Sequence, residues 1–290
     1  MKRFVHTAAI QMEILPLQTE KNLTKARSLL EEALKYHTLD LVVFPEDCIT
    51  GPIPANLDYA LSNTDDAVTF FADLAKEYSV FVVCGSFITK EGDDYFNKSL
   101  LFDRDGKIIL EYKKNNLWIP ERRYLTKGNE TPVVKTSIGT IGITICWDLA
   151  FPETFQQLAQ KGADIICCPS YWTGEDSGSL HRKYPDISSE VNMVDALCPA
   201  RAIENGSLVI YANGAKKAKV YLKTTTFEGN QIGHSQICAP LVGVAAKLNH
   251  NEEGYVYYEY DRHYGLDAEK NYMLRGDRSQ AFNAVVDETV

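Results

Sequence analysis

The 290-residue sequence has no apolar run approaching the ~20 residues needed to cross a bilayer. Its longest apolar stretches, such as Phe81 to Phe87, are far shorter. Lys2 and Arg3 stand near the start, but His6, Gln11 and Glu13 interrupt the apolar residues after them, so no secretory leader is expected. Positive charge is in deficit: 30 Lys and Arg against 39 Asp and Glu leave a formal charge of −9. That balance argues against a general grip on nucleic acid or an anionic membrane. There is no C-x-x-C, H-x-H or H-x-x-x-H spacing to suggest zinc, no G-x-S-x-G and no Gly-rich phosphate loop. Neither metal nor cofactor is expected. No Gly/Ser-rich or Pro-rich linker divides the chain.

What is present is globular. Hydrophobic residues make up 45% and charged residues 24%, close to ordinary averages. A chain this long buries roughly 75% of its unfolded surface, so it needs no covalent staples. The seven cysteines are therefore an odd set of free thiols rather than a disulfide framework, and they fit a reducing, cytoplasmic setting. Most such thiols are small core residues, while one can be kept for its reactivity.

Apolar periodicity alternates between strand and helix. Strands are predicted at Phe4 to Met12, Leu41 to Phe44 and Val80 to Phe87, with helices at Lys21 to His37 and Asp66 to Tyr78 between them. A hairpin with an Asp-Gly turn comes next, joining Asn97 to Asp103 and Ile108 to Lys114. The pattern then recurs: strands at Gly139 to Ile145, Asp164 to Cys168 and Ser207 to Ala212 enclose helices at Pro152 to Lys161 and Val194 to Asn205. Gly233 to Ala239 and Tyr255 to Asp261 read as closing strands. The phrases Asp40-Leu41-Val42-Val43-Phe44-Pro45 and Asp164-Ile165-Ile166-Cys167-Cys168-Pro169 align at an offset of 124, which points to two similar halves. Continuous apolar strands imply sheets covered by helices, hence a layered α/β fold in one domain. Trp172 to Val191 is the longest polar stretch and is expected to be a surface loop.

Ligands in such folds bind at the carboxyl ends of strands. Three strand ends carry reactive groups: Glu46 after Val42-Val43-Phe44-Pro45, Lys113 and Lys114 after Ile109-Leu110-Glu111-Tyr112, and Cys146 after Ile143-Thr144-Ile145. Carboxylate, ammonium and thiol together suit acyl transfer through a thioester. Cys146 falls between a buried strand and a helix that begins near Pro152, a tight turn whose free N–H groups can hold an oxyanion. Taken alone, Cys146 reads equally well as a buried strand-end cysteine, as Cys167 and Cys168 do. Spacing also leaves open a Cys-His dyad with His234.

Five phrases in order make the chain resemble the nitrilase superfamily, or carbon-nitrogen hydrolases. These are Phe44-Pro45-Glu46, Tyr112-Lys113-Lys114-Asn115-Asn116-Leu117, Ile145-Cys146-Trp147-Asp148-Leu149-Ala150-Phe151-Pro152-Glu153, Arg201-Ala202-Ile203-Glu204-Asn205-Gly206 and Gly233-His234-Ser235-Gln236-Ile237. The resemblance implies a four-layer αββα sandwich over residues 1–262, a tail at 263–290, and a catalytic set of Glu46, Lys114, Cys146 and Glu121. The register of the resembled motif, two residues after Tyr112 and three before Leu117, implies Lys114, and alternation then puts Lys113 on the opposite strand face. Trp147 is expected to contribute its N–H, and Trp118, Tyr171 and Trp172 to wall the substrate or else pack the core or a subunit interface. Arg201 and Asn205 read as scaffold. Asp148 after Cys-Trp resembles the amidase and carbamoylase branches, which implies a small amide or carbamoyl substrate. A nitrilase is one alternative and a catalytically silent scaffold another. The resemblance also implies a homodimer or higher homo-oligomer; Tyr264, Tyr272 and Met273 would supply a subunit contact or pack on their own domain.

Overall fold

The structure is a computed structural model that describes residues 2–185, 187–222 and 225–277. Its frame is two sheets laid face to face. The first contains eight strands, with Phe4–Glu13, Leu41–Val43 and Phe81–Val83 running parallel at its centre. The second contains six, with Gly139–Ile143, Ile165–Pro169 and Leu208–Ala212 parallel at its centre. The repeated phrase thus marks the middle strand of each parallel trio, Leu41–Val43 in one sheet and Ile165–Pro169 in the other.

Alternation along the first trio assigns its two faces. Val5, Ala9, Leu41, Val43 and Val83 join the second sheet's Ile141, Ile143, Ile165 and Val209 in one core. Ala8, Ile10, Val42, Phe44 and Val82 turn the other way, onto Ala26, Leu30 and Ala33 of helix Thr19–Tyr36 and Phe71 and Leu74 of helix Thr64–Tyr78. Helices Pro152–Gln160 and Ser189–Asn205 cover the second sheet through Phe155, Leu158, Val194, Cys198 and Ala202. Leu41–Val43, Phe81–Val83 and Ile165–Pro169 are apolar at every position because both faces are covered. The layers are α, β, β, α, as expected.

Three differences from the expected elements have physical causes. The strand predicted over Val80 to Phe87 is broken: Phe81–Val83 ends, and Phe87–Glu91 begins a new strand. Gly85 lies between them at φ +73°, and a Cβ there would stand 2.0 Å from the Pro45 carbonyl oxygen. The break admits the loop that carries Glu46. Trp172 to Val191 is not simply a surface loop, since it contains helix Ser179–Lys183 and the first turn of Ser189–Asn205, and Trp172 and Thr173 are buried. Strands Val133–Thr136, Lys217–Tyr221, Thr226–Asn230 and Gly243–Lys247 carry too little apolar alternation to be read from sequence.

Beyond the last long strand, Gly254–Asp261, lies helix His263–Tyr272. The Arg275 guanidinium then reaches back to the carbonyls of Asn205, Ala163 and Gly206 at 2.7, 3.0 and 3.0 Å. Residues 278–290 of the expected tail lie outside the described residues. Among the described residues no helix is long and apolar enough to cross a membrane.

Candidate active site

Glu46 leaves the middle strand of the first sheet and is 2% exposed. Its Oε1 accepts hydrogen bonds from Lys114 Nζ and from Asn97 Nδ2, each at 2.8 Å. Its Oε2 accepts the Tyr171 N–H at 2.9 Å, and the Glu46 N–H donates to the Ser170 carbonyl at 3.2 Å. A buried carboxylate with this many donors is fixed in position and kept available as an acceptor.

Strand Ile108–Lys113 delivers the lysine, and alternation separates the two candidates. Lys113 points outward to Glu91 at 2.6 Å, with its ammonium over the Phe96 ring. Lys114 is 1% exposed and bridges Glu46 at 2.8 Å and Glu121 Oε2 at 2.8 Å. Glu121 opens the short turn Glu121–Arg123, and its Oε2 also accepts the Trp118 N–H at 2.6 Å. Burial works to lower the Lys114 pKa, but the Glu121 and Glu46 carboxylates outweigh it and hold the ammonium well above its ordinary range.

Cys146 follows strand Gly139–Ile143 at the start of the 3₁₀ turn Cys146–Ala150, with φ +47°. A non-glycine residue in this region costs on the order of 1–3 kcal/mol and persists only where its surroundings impose it. Asp148 provides that constraint. Its Oδ2 accepts the Ile145 N–H at 2.8 Å and the Tyr112 hydroxyl at 2.6 Å. Its Oδ1 accepts the N–H and Nδ2 of Asn116, both at 2.8 Å. The cysteine turn is thereby tied to the end of the lysine strand. Arg201 donates from Nε to the Leu149 carbonyl at 3.1 Å on the same turn, and Asn205 bonds the Arg201 carbonyl at 3.0 Å, both scaffold contacts.

The cysteine turn, the carboxylate loop and the lysine strand meet at a cavity of about 360 Å³. All eight residues singled out in the sequence line it: Glu46, Lys114, Glu121, Cys146, Trp118, Trp147, Tyr171 and Trp172. Trp147 stacks edge-on with Trp118 at 4.5 Å and lies 5.5 Å from Trp172, forming an aromatic wall. Tyr171 and Trp172 both pack the core and line the cavity. His234 belongs elsewhere; its Nδ1 meets Asp195 at 3.3 Å, and it takes no part in the cavity.

Residues 6–267 match the carbon-nitrogen hydrolase family. The chain belongs to that family. It is 30% identical to the 2-oxoglutaramate amidase of Bacillus subtilis over 259 residues, 88% of this chain and 90% of the relative. It is 29% identical to the deaminated glutathione amidase of Dictyostelium discoideum over 267 residues, 84% of each. The carbon-nitrogen hydrolase from Helicobacter pylori G27 superposes with a TM-score of 0.82 at 24% identity, covering 98% of both chains, a likeness of fold.

In this carbon-nitrogen hydrolase the thiol rests protonated. Burial and the neighbouring Glu46 carboxylate push the Cys146 pKa well above its ordinary value, and the pull of Lys114 does not offset them. Glu46 lines the same cavity as the thiol. Sequence reasoning missed two supporting residues. Asn97, whose backbone carbonyl accepts the Lys114 N–H at 2.9 Å, is brought in by the register Lys98↔Lys113. Asp148 reads in sequence as a mark of the family branch, whereas the structure makes it the anchor of the turn. The cavity also holds Asp47, Glu175 and Asp176, which no motif indicates.

Proposed function

We propose that the protein hydrolyses a small-molecule amide or carbamoyl group through a thioester on Cys146. The observation that carries this reading is the buried cluster in which Glu46, Lys114 and Cys146 line one cavity, with Lys114 Nζ 2.8 Å from Glu46 Oε1. Cys146 Sγ bonds to the carbonyl carbon while its proton passes to Glu46. Lys114 and the Trp147 N–H at the start of the 3₁₀ turn hold the oxyanion. When the tetrahedral intermediate collapses, the C–N bond breaks and Glu46 returns the proton to the leaving nitrogen. Water then attacks the thioester, giving a proton to Glu46 with Glu121 helping to position it. The acid departs and the thiol is restored.

Amidase-named relatives at 29–30% identity favour amide over nitrile chemistry. The deciding experiment is intact-mass analysis after exposure to primary amides, carbamoyl compounds and nitriles, with Cys146→Ala beside the wild type. An acyl adduct that requires Cys146, with ammonia released from an amide, supports the reading. Turnover of nitriles alone supports a nitrilase, and no adduct or product across the panel refutes both.

We further propose a homo-oligomer in a reducing compartment. Seven free cysteines, all buried, suit such a compartment. Exposed Leu266, Tyr272 and Met273 suit a subunit contact, and a monomeric mass by light scattering would refute it.

A further inference from the structure

The charge of the cavity wall is one-sided. Beyond Glu46 and Glu121 it carries Asp47, Glu175 and Asp176, and among the described residues Lys114 is the only cation that lines it. That ammonium is already shared between Glu46 and Glu121 at 2.8 Å each. The outer carboxyls differ in their engagement. Glu175 accepts the N–H of Asn230 at 2.9 Å and its Nδ2 at 3.2 Å. Asp176 accepts the N–H and hydroxyl of Thr173 at 2.9 and 2.8 Å. Asp47 has no such partner. It is 9% exposed, its φ of +53° turns it out of line with the strand, and its N–H donates to Ser86 Oγ at 3.4 Å. No side-chain hydrogen bond or ion pair engages its carboxyl among the described residues, and the cavity is where it opens.

We propose that the site selects amides or carbamoyl compounds whose body carries an ammonium group, with Asp47 as the counter-ion. This rests on the amidohydrolase reading and deepens it. A substrate bearing a carboxylate would find no uncommitted cation on the described wall to pair with, since Lys114 is already held by Glu46 and Glu121. A neutral amide would leave the Asp47 carboxyl buried without a partner. An ammonium satisfies that carboxyl and can also rest against the faces of Trp118 and Trp147. Burial, and repulsion from Glu46 and Glu121, hold the Asp47 pKa well above the carboxylate range, and an ammonium placed beside it would lower that pKa and draw the carboxyl to its charged, counter-ion form.

The test is a comparison of kcat/KM for three primary amides of matched length, 5-aminopentanamide, pentanamide and glutaramate, with wild type and Asp47→Asn. The expected order is cationic above neutral above anionic, with at least a tenfold advantage for the cation. In Asp47→Asn that advantage should fall to about threefold or less, chiefly through KM. Equal or faster turnover of pentanamide or glutaramate by the wild type overturns the inference while leaving the amidohydrolase reading intact. So does an unchanged ratio in folded Asp47→Asn. Turnover of none of the three by folded wild type refutes the amidohydrolase reading itself. Should Asp47→Asn not fold, inhibition of the wild type decides: n-butylamine competing at least tenfold better than butyrate supports the inference, and the reverse order overturns it.

Discussion

Asp148→Asn tests whether the cysteine turn is held by the network assigned to it. The carboxylate accepts four hydrogen bonds, two on each oxygen. An asparagine keeps the shape but replaces one oxygen with an NH₂ group. If that group faces Asn116, the Asn116 side chain can flip to accept, but the Asn116 backbone N–H, 2.8 Å from the replaced oxygen, cannot. If it faces the other way, the Tyr112 hydroxyl can rotate to accept, but the Ile145 backbone N–H at 2.8 Å cannot. Either orientation leaves one backbone donor facing another donor. Losing an acceptor at a buried donor costs about 1–3 kcal/mol. For a chain of this size the melting temperature should fall by roughly 2–6 °C. Because the turn carries Cys146 at φ +47°, activity should fall further than stability. A displacement of about 1 Å at a reacting atom costs on the order of 100-fold. Thermal melts and kcat/KM on the preferred amide, measured in the same preparation, provide both numbers. A variant as stable and as active as the wild type would show that the four hydrogen bonds do not hold the turn.

Three further outcomes are expected of the site. Lys114→Ala should lose 10² to 10³ in kcat as an oxyanion donor disappears, and about 3–5 kcal/mol of stability because Glu46 and Glu121 lose their buried cation. Lys113→Ala removes the half-exposed pair with Glu91 and the contact with the Phe96 ring and should change stability by about 1 kcal/mol or less; a larger loss of turnover in Lys113→Ala than in Lys114→Ala reverses the assignment. The protonated resting thiol predicts no difference in 240 nm absorbance between wild type and Cys146→Ser at neutral pH, so a thiolate step there contradicts the base role of Glu46. Burial raises the Asp176 carboxyl to about 7, so the folded state binds that proton more tightly than the unfolded state. Wild-type stability relative to Asp176→Asn should therefore fall as pH rises from about 4 to 7 and level off above; a constant difference in melting temperature across that range would count against the shift.

The frame could be read from the sequence because its central strands are buried on both faces and leave uninterrupted apolar phrases. Lys114 could be told from Lys113 because the motif's register names it and strand alternation sends its neighbour to the opposite face. What stayed hidden depends on contacts distant in the chain or on one backbone angle. Asn97 reaches Glu46 only through the pairing of two hairpin strands, and Asp47 faces the cavity through a left-handed φ that nothing beside Glu46 announces. The short half-exposed strands have too few apolar positions to produce a period.

The internal repeat explains why the carboxylate sits where it does. At the offset of 124, the residue matching Glu46 is Ser170. The two are in contact: the Glu46 N–H donates to the Ser170 carbonyl at 3.2 Å, and the next N–H, that of Tyr171, donates to Glu46 Oε2 at 2.9 Å. Equivalent strand ends from the two halves therefore pair directly, one supplying a side-chain carboxylate and the other the backbone that orients it. A carboxylate anchored this way depends on the two sheets keeping their mutual position, so packing changes at Val43 or Ile165 between the sheets should reach Glu46 before they reach Lys114, whose strand lies outside both trios.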